Sequence, residues 1–365
     1  MTTDDGVEAK GSSASDGDTA PEHAKKAPKK KGRPGRALVG LLALGVVVAG
    51  VLYLFSSVGK SRSSAHEHLP PSCDVVARAD LARIQALPSF QAKVKPALDE
   101  LTSEATTLDD PDMADLRSFL LEARLDPARD IEEVVFCVSD PVGGAKFAII
   151  LGGMFSSEGV VDAAAKRGEG SERVKIEGRP VVKARSKKGG SPIFLGQAED
   201  GAIVLSNDES LVAGALKKSD AHQAVYKLPL EREASAVVMN ALMTKQAERI
   251  RQNPIARPFV AVTGASGSLG LATPSGQGRL NTASAADAAD VERELSGLLA
   301  LARLKSSFLG GGGDKQAGLM NALTDLKTSV SGSDVVLDLP WTQQGVDDLM
   351  DAAAAALRKA KSARK

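Results

Sequence analysis

Residues 134–154 read VVFCVSDPVGGAKFAIILGGM, and this stretch decides the fold. Two runs rich in β-branched and aromatic residues, 134–139 and 146–154, flank Asp140-Pro141-Val142-Gly143-Gly144. A Pro/Gly turn between two such runs predicts a β-hairpin, and so an antiparallel pair of strands. Upstream, residues 75–79 read as a further strand, leading into a helix that Asp80 caps by accepting the backbone N–H of Arg83. A second helix starts at Pro88 with a kink expected at Pro96, and Asp110-Pro111 supplies the cap and pre-set first turn of a helix over 112–124. Downstream, Ser156 or Ser157 caps a helix ending near Gly168; strands follow at 174–177, 181–184, 193–196 and 202–206, and Asn207 caps a short helix through Leu216. The turns are short and helices do not alternate one to one with strands. The expected fold is therefore α+β, a largely antiparallel sheet with helices packed against one face, rather than a doubly wound parallel sheet.

The second half restates this order. Residues 236–239 (AVVM) form a strand leading into a helix, as 75–77 do, and 278–281 lead to Ser284 and a long helix through Leu304, as the strand before Ser156 does. A different echo pairs Phe155-Ser156-Ser157-Glu158-Gly159-Val160-Val161-Asp162 with Trp341-Thr342-Gln343-Gln344-Gly345-Val346-Asp347-Asp348. The two echoes imply different alignments of the halves, so two pseudo-repeats are one reading and a single undivided domain the other.

Residues 37–58 (ALVGLLALGVVVAGVLYLFSSV) carry no charge over 22 positions. At about 1.5 Å per residue such a helix spans roughly 33 Å, enough for a hydrocarbon layer of about 30 Å. Directly before it stand Lys25, Lys26, Lys29, Lys30, Lys31, Arg33 and Arg36, a block that is costly to translocate and suited to a membrane surface. The expected topology is a single-pass signal anchor with a cytoplasmic N-terminus. A cleaved signal peptide fits less well, because the charged region before the apolar run is 36 residues long. The organisation expected is a disordered cytoplasmic arm with its basic block (1–36), a transmembrane helix (37–58), a linker (59–70), two exported α+β halves (71–228 and 229–360) and a basic tail (361–365).

Composition narrows the function classes. Residues 59–365 hold 38 basic and 40 acidic side chains, so no bulk charge argues for nucleic acid. Aromatics are 3% of the chain, too few for stacking platforms. The two cysteines, Cys73 and Cys137, both fall on the exported side, each at a strand. If those strands are neighbours, a disulfide closes a loop of about 64 residues and stabilises by about 4 kcal/mol in the chain-entropy model. Two free thiols are the other reading.

Candidate chemistry is thin. Residues 260–270 (VAVTGASGSLG) resemble the TGxxGxxG nucleotide loop of extended short-chain dehydrogenases over eight residues. Such a loop opens a helix, whereas Leu271-Ala272-Thr273-Pro274-Ser275-Gly276 cannot continue one, and neither Tyr53 nor Tyr226 has a lysine four residues on. A strand, a Gly-Ser turn and a second strand are expected there instead. His66, Glu67 and His68 read as solvated linker residues, His23 lies in the arm, and His222 stands alone after a helix. Ser57-Val58-Gly59-Lys60 matches Ser-x-x-Lys by letters at the membrane edge, and no Gly-x-Ser-x-Gly elbow is present. Asp109, Asp110, Asp112 and Asp115 lack the turn glycine and terminal Glu of a calcium loop and read as helix-capping residues. Arg185-Ser186-Lys187-Lys188-Gly189-Gly190 reads as a solvated loop tip. No catalytic, cofactor-binding or metal site is expected.

The reading that follows is a membrane-anchored extracytoplasmic protein with a non-catalytic binding or structural role at the cell envelope. Its partners would be the bilayer and an envelope protein, with no nucleic acid and no cofactor. Two alternatives stand beside it: a sensory or regulatory protein signalling through its cytoplasmic arm, and an exported enzyme with an unrecognised site.

Overall fold

The computed structural model describes residues 60–102, 111–141, 144–156, 159–167, 170–184, 191–239, 257–308 and 325–362. The N-terminal arm, the basic block, the apolar run, Asp109 and Asp110, the loop 185–190 and residues 363–365 lie outside them. Among the described residues no helix is long and apolar enough to cross a membrane.

Among the described residues thirteen strands form one sheet, and every pair in it is antiparallel. In chain order they are β1 (Lys60–Ser63), β2 (Val75–Asp80), β3 (Ile131–Ser139), β4 (Lys146–Ser156), β5 (Glu172–Ile176), β6 (Arg179–Ala184), β7 (Ile193–Gln197), β8 (Ile203–Ser206), β9 (Ala234–Val238), β10 (Val262–Gly270), β11 (Ser275–Thr282), β12 (Lys327–Ser331) and β13 (Asp334–Leu339). The spatial order is β12-β13-β11-β10-β9-β2-β3-β4-β8-β7-β6-β5, with β1 added on β4. The hairpin read from residues 134–154 is β3–β4, paired from Ile131↔Gly153 to Ser139↔Lys146. At the centre, β2 meets β9 with Ala77 opposite Ala236; β2-β3-β4 and β9-β10-β11 run outward from that seam, and the remaining strands follow in reverse chain order, β8-β7-β6-β5 on one side and β13-β12 on the other.

The helices are α1 (Leu81–Gln85), α2 (Lys95–Thr102), α3 (Pro111–Glu122), α4 (Pro127–Asp130), α5 (Gly159–Arg167), α6 (Glu209–Ala215), α7 (Ala221–Ala224), α8 (Ala285–Phe308) and α9 (Gln343–Ser362). They cover both faces of the sheet, not one. Strand side chains alternate between faces. Val135 and Cys137 accordingly join a core with Leu211, Val212 and Ala215 of α6, while Val134 joins another with Val160 and Ala163 of α5. Strands buried on two sides need apolar residues at consecutive positions, which is the pattern of residues 148–151, Ala-Ile-Ile-Leu.

Local chemistry explains most boundaries. Asp80 Oδ1 accepts from Arg83 N at 3.0 Å and starts α1. α6 is capped by Asp208, which accepts from Ser210 N and Leu211 N; Asn207, the expected cap, instead accepts from Phe147 N at 2.8 Å and ties the helix start to β4. Upstream of Pro96 the backbone widens into a π-helix, Phe90–Val94, which relieves the clash of the proline ring with the preceding turn. The Gly-Ser stretch expected as a turn is itself strand β10, hydrogen-bonded on both sides by β9 and β11, and the chain reverses at residues 271–274. The second sequence echo finds no counterpart in strand order. Phe155 sits within β4, whereas Trp341 follows β13.

Residues 60–69, expected as linker, belong to the fold. β1 pairs with β4, and the 3₁₀ turn Ala65–His68 that follows buries Ala65 and His68. Gly152 permits this, and Gly153 beside it lets the end of α4 approach β4. A Cβ on Gly152 would lie 2.3 Å from Ala65 N, and one on Gly153 would lie 1.8 Å from Asp130 O. Both neighbours are backbone and cannot rotate away. The Gly152→Ala variant is expected to lose about 1 to 3 kcal/mol, or more, in chemical denaturation, with faster amide exchange over residues 63–69. An unchanged midpoint would refute the close-approach argument.

Candidate functional site

The entry segment and the ends of the central strands beside it gather a cluster of buried ionisable groups. Glu133 of β3 lies opposite Asp80 of β2, and Arg78 of β2 points to the same face as Asp80. Arg78 donates Nε to Glu133, Nη2 to Asp80 at 3.3 Å, and Nη1 to the carbonyls of Arg232 at 3.1 Å and Leu230 at 3.4 Å. Glu133 also accepts from the backbone N of His66 at 3.2 Å and from His66 Nδ1 at 2.8 Å. Burial alone would raise the Glu133 carboxyl, but His66 and then Arg78 outweigh it and hold it at about 2.

His68 sits deeper, with 1% of its surface exposed. Its Nδ1 faces the carbonyl of Ala215 at 2.9 Å and its Nε2 faces Asp200 at 3.0 Å, so both ring nitrogens meet acceptors. Burial opposes the charge on Asp200, and its bonds to His68, Ala202 N and Lys218 prevail, placing it at about 2. Above His68 opens a cleft of about 530 Å³ lined by Glu177, Arg179, Glu199, Asp200, Lys217 and Lys218. It is built from turns: Glu177-Gly178 in the β5–β6 hairpin, where φ is 51° and 76°, Glu199-Asp200 between β7 and β8, and the end of α6. Its charges pair with one another: Arg179 with Glu199, Lys217 with Glu177 at 2.6 Å, and Lys218 with Asp200 at 3.2 Å and with Glu67 at 2.5 Å.

Cys73 and Cys137 are joined in a disulfide between the segment before β2 and strand β3. Tyr226 secures the same segment, its hydroxyl donating to Pro70 O at 2.7 Å and accepting from Cys73 N at 2.8 Å. Burial pushes the Tyr226 phenol up to about 12. The seven cations Lys25 to Arg36 lie outside the described residues. Among the described residues no three His, Cys, Asp or Glu side chains are placed to hold a metal ion.

Sequence reasoning placed His66 and His68 in solvent and missed Glu133, Arg78, Asp200 and Tyr226. The partners that bring them together, Glu133 for Arg78, His68 for Asp200 and Pro70 for Tyr226, are 55, 132 and 156 residues away in the chain, so no local pattern marks them.

No protein-family model and no curated protein matches the chain. Solved structures similar to it include crystal forms I, III and IV of TP0453, at 6%, 7% and 8% identity with TM-scores of 0.38, 0.39 and 0.40. They cover 81–82% of this chain and 96–99% of the other. A likeness this weak carries no argument.

Proposed function

We propose that this chain is a single-pass membrane protein whose large C-terminal domain stands outside the cytoplasm and has a non-catalytic binding or structural role at the cell envelope. The observation that carries the role is the state of the cleft. Each ionisable side chain lining it is engaged by another group of the protein, so the cleft presents fixed, paired charges of both signs. Such a surface recognises a partner by shape and fixed charge. The location rests on the uncharged run 37–58 behind its seven cations, and a disulfide fits an oxidising compartment.

The seam between β2 and β9 supports reading 71–228 and 229–360 as two related halves, following the first sequence echo.

Protease added to intact spheroplasts tests the topology. It is expected to degrade the C-terminal domain and leave a short anchored N-terminal fragment; protection of the domain until lysis would overturn the proposal. Deleting residues 1–24 while keeping the basic block is expected to leave the envelope phenotype intact. Loss of that phenotype would instead favour signalling through the arm.

A further inference from the structure

Three of the four histidines, His66, His68 and His222, gather around the entry segment, and their surroundings differ. His66 is engaged by Glu133, and His68 by Asp200 and the Ala215 carbonyl. His222, on α7, is 7% exposed. Its ring centroid lies 4.7 Å from that of His66 with the rings at 71°, an edge-on contact, and its Nδ1 is buried without a hydrogen-bond partner among the described residues. A proton arriving on the ring would be buried beside a second imidazole, its charge only partly offset by the Ser219 backbone and the Glu67 and Glu133 carboxylates.

We propose that His222 is an acid-sensitive latch on the entry segment: when neutral it packs against His66 and holds the turn Ala65–His68 on the domain, and when protonated it separates α7 from that turn. The groups facing it are His66 and Glu67 of the turn, Glu133 of β3 and the backbone of Ser219, with Asp220 at the start of its own helix. Both facing carboxylates favour the charged ring but already have other partners. Glu133 is engaged by Arg78 and His66, and Glu67 by Lys218. The turn is also joined to the segment that leads into α7, by Ser219 N, which donates to Glu67 O at 2.6 Å, and by Lys218, which pairs with the Glu67 carboxylate, so their separation strains these bonds as well as the ring contact.

Burial, and after it the charge of His66, lowers the His222 imidazole below its ordinary value of 6.5. Below 6.5 the unfolded chain takes a proton that the folded one refuses. The stability associated with neutral His222 is therefore present above 6.5 and lost as pH falls through the lowered value. Glu133 and Asp200, both at about 2, stay charged throughout that window, so neither carboxylate accounts for a response to mild acid. The consequence for the tether rests on the anchored reading above; the latch itself does not.

The test is amide exchange of the full-length protein in detergent, corrected for intrinsic rates, at about pH 7.5 and about pH 5. Exchange at His66, Glu67, Leu69 and Ser219 is expected to accelerate about tenfold on acidification, and the His222→Phe variant is expected to abolish that response while matching the parent at neutral pH. Unaltered exchange in the parent, or an equal response in the variant, overturns the proposal. Should the variant fail to fold, an NMR titration of the parent decides, because a His222 midpoint at or above 6.5 also overturns it. The measurement is made in detergent, so it is independent of the topology assay, and either can fail alone.

Discussion

The Glu133→Leu variant is expected to lose about 3 to 5 kcal/mol of stability at neutral pH, measured by urea denaturation. The physical reason is what remains behind. The Arg78 side chain, 5% exposed, keeps its carbonyl partners and Asp80 but loses the carboxylate that neutralises it, and His66 loses acceptors for both its backbone N–H and Nδ1. Glu133→Gln retains an acceptor and should cost less. The paired replacement Arg78→Met with Glu133→Leu is expected to recover much of the loss, since removing both charges also removes the unmet desolvation cost. A near-neutral Glu133→Leu variant would show that the cluster is solvated and the argument wrong. The same carboxylate predicts an acid limb. Glu133 has its pKa lowered from 4.5 to about 2 and Asp200 from 3.8 to about 2, so their contributions are full above those ordinary values and lost as pH falls through about 2. Glu133→Gln should flatten the first part of that limb.

Reduction of the Cys73–Cys137 bridge, or the Cys73→Ala/Cys137→Ala variant, is expected to cost about 4 kcal/mol. The bridge spans 64 positions, and the chain-entropy model assigns an open loop of that length about this much extra freedom in the unfolded state. The cysteines are 4% and 0% exposed, so alanine also leaves small voids. Tyr226 keeps the Cys73 backbone in place in both forms, which makes the effect one on the unfolded chain more than on the native structure. Thermal melts with and without reductant, beside non-reducing peptide mapping, measure it. A midpoint indifferent to reduction, with both thiols then labelled, would refute the estimate.

Much of the architecture was legible because it is written locally. The Asp140-Pro141 turn between two β-rich runs, the Asp80 cap and the opening Pro111 of α3 each act within a few residues. Where neighbours had a stronger claim, local reading failed. Asn207 was drawn from capping to β4, and the Gly-Ser run became a strand because β9 and β11 supply hydrogen bonds on both sides. The linker was misread for the same reason. Nothing in Lys60-Ser61-Arg62-Ser63 announces a strand, and the partner that makes it one is 96 positions away at Ser156.

The sequence by itself determined the antiparallel α+β class, the uncharged run with its cationic flank, and the two strands beside or within which the cysteines fall, because periodicity, turn chemistry and charge act over short stretches of chain. Only the tertiary structure decided that helices cover both faces, that the entry segment closes onto Gly152 and Gly153, and that His66, His68 and His222 meet Glu133 and Asp200. Those contacts join residues far apart in the chain, and their energies come from burial and from charges facing one another across the fold, which no local pattern of residues encodes.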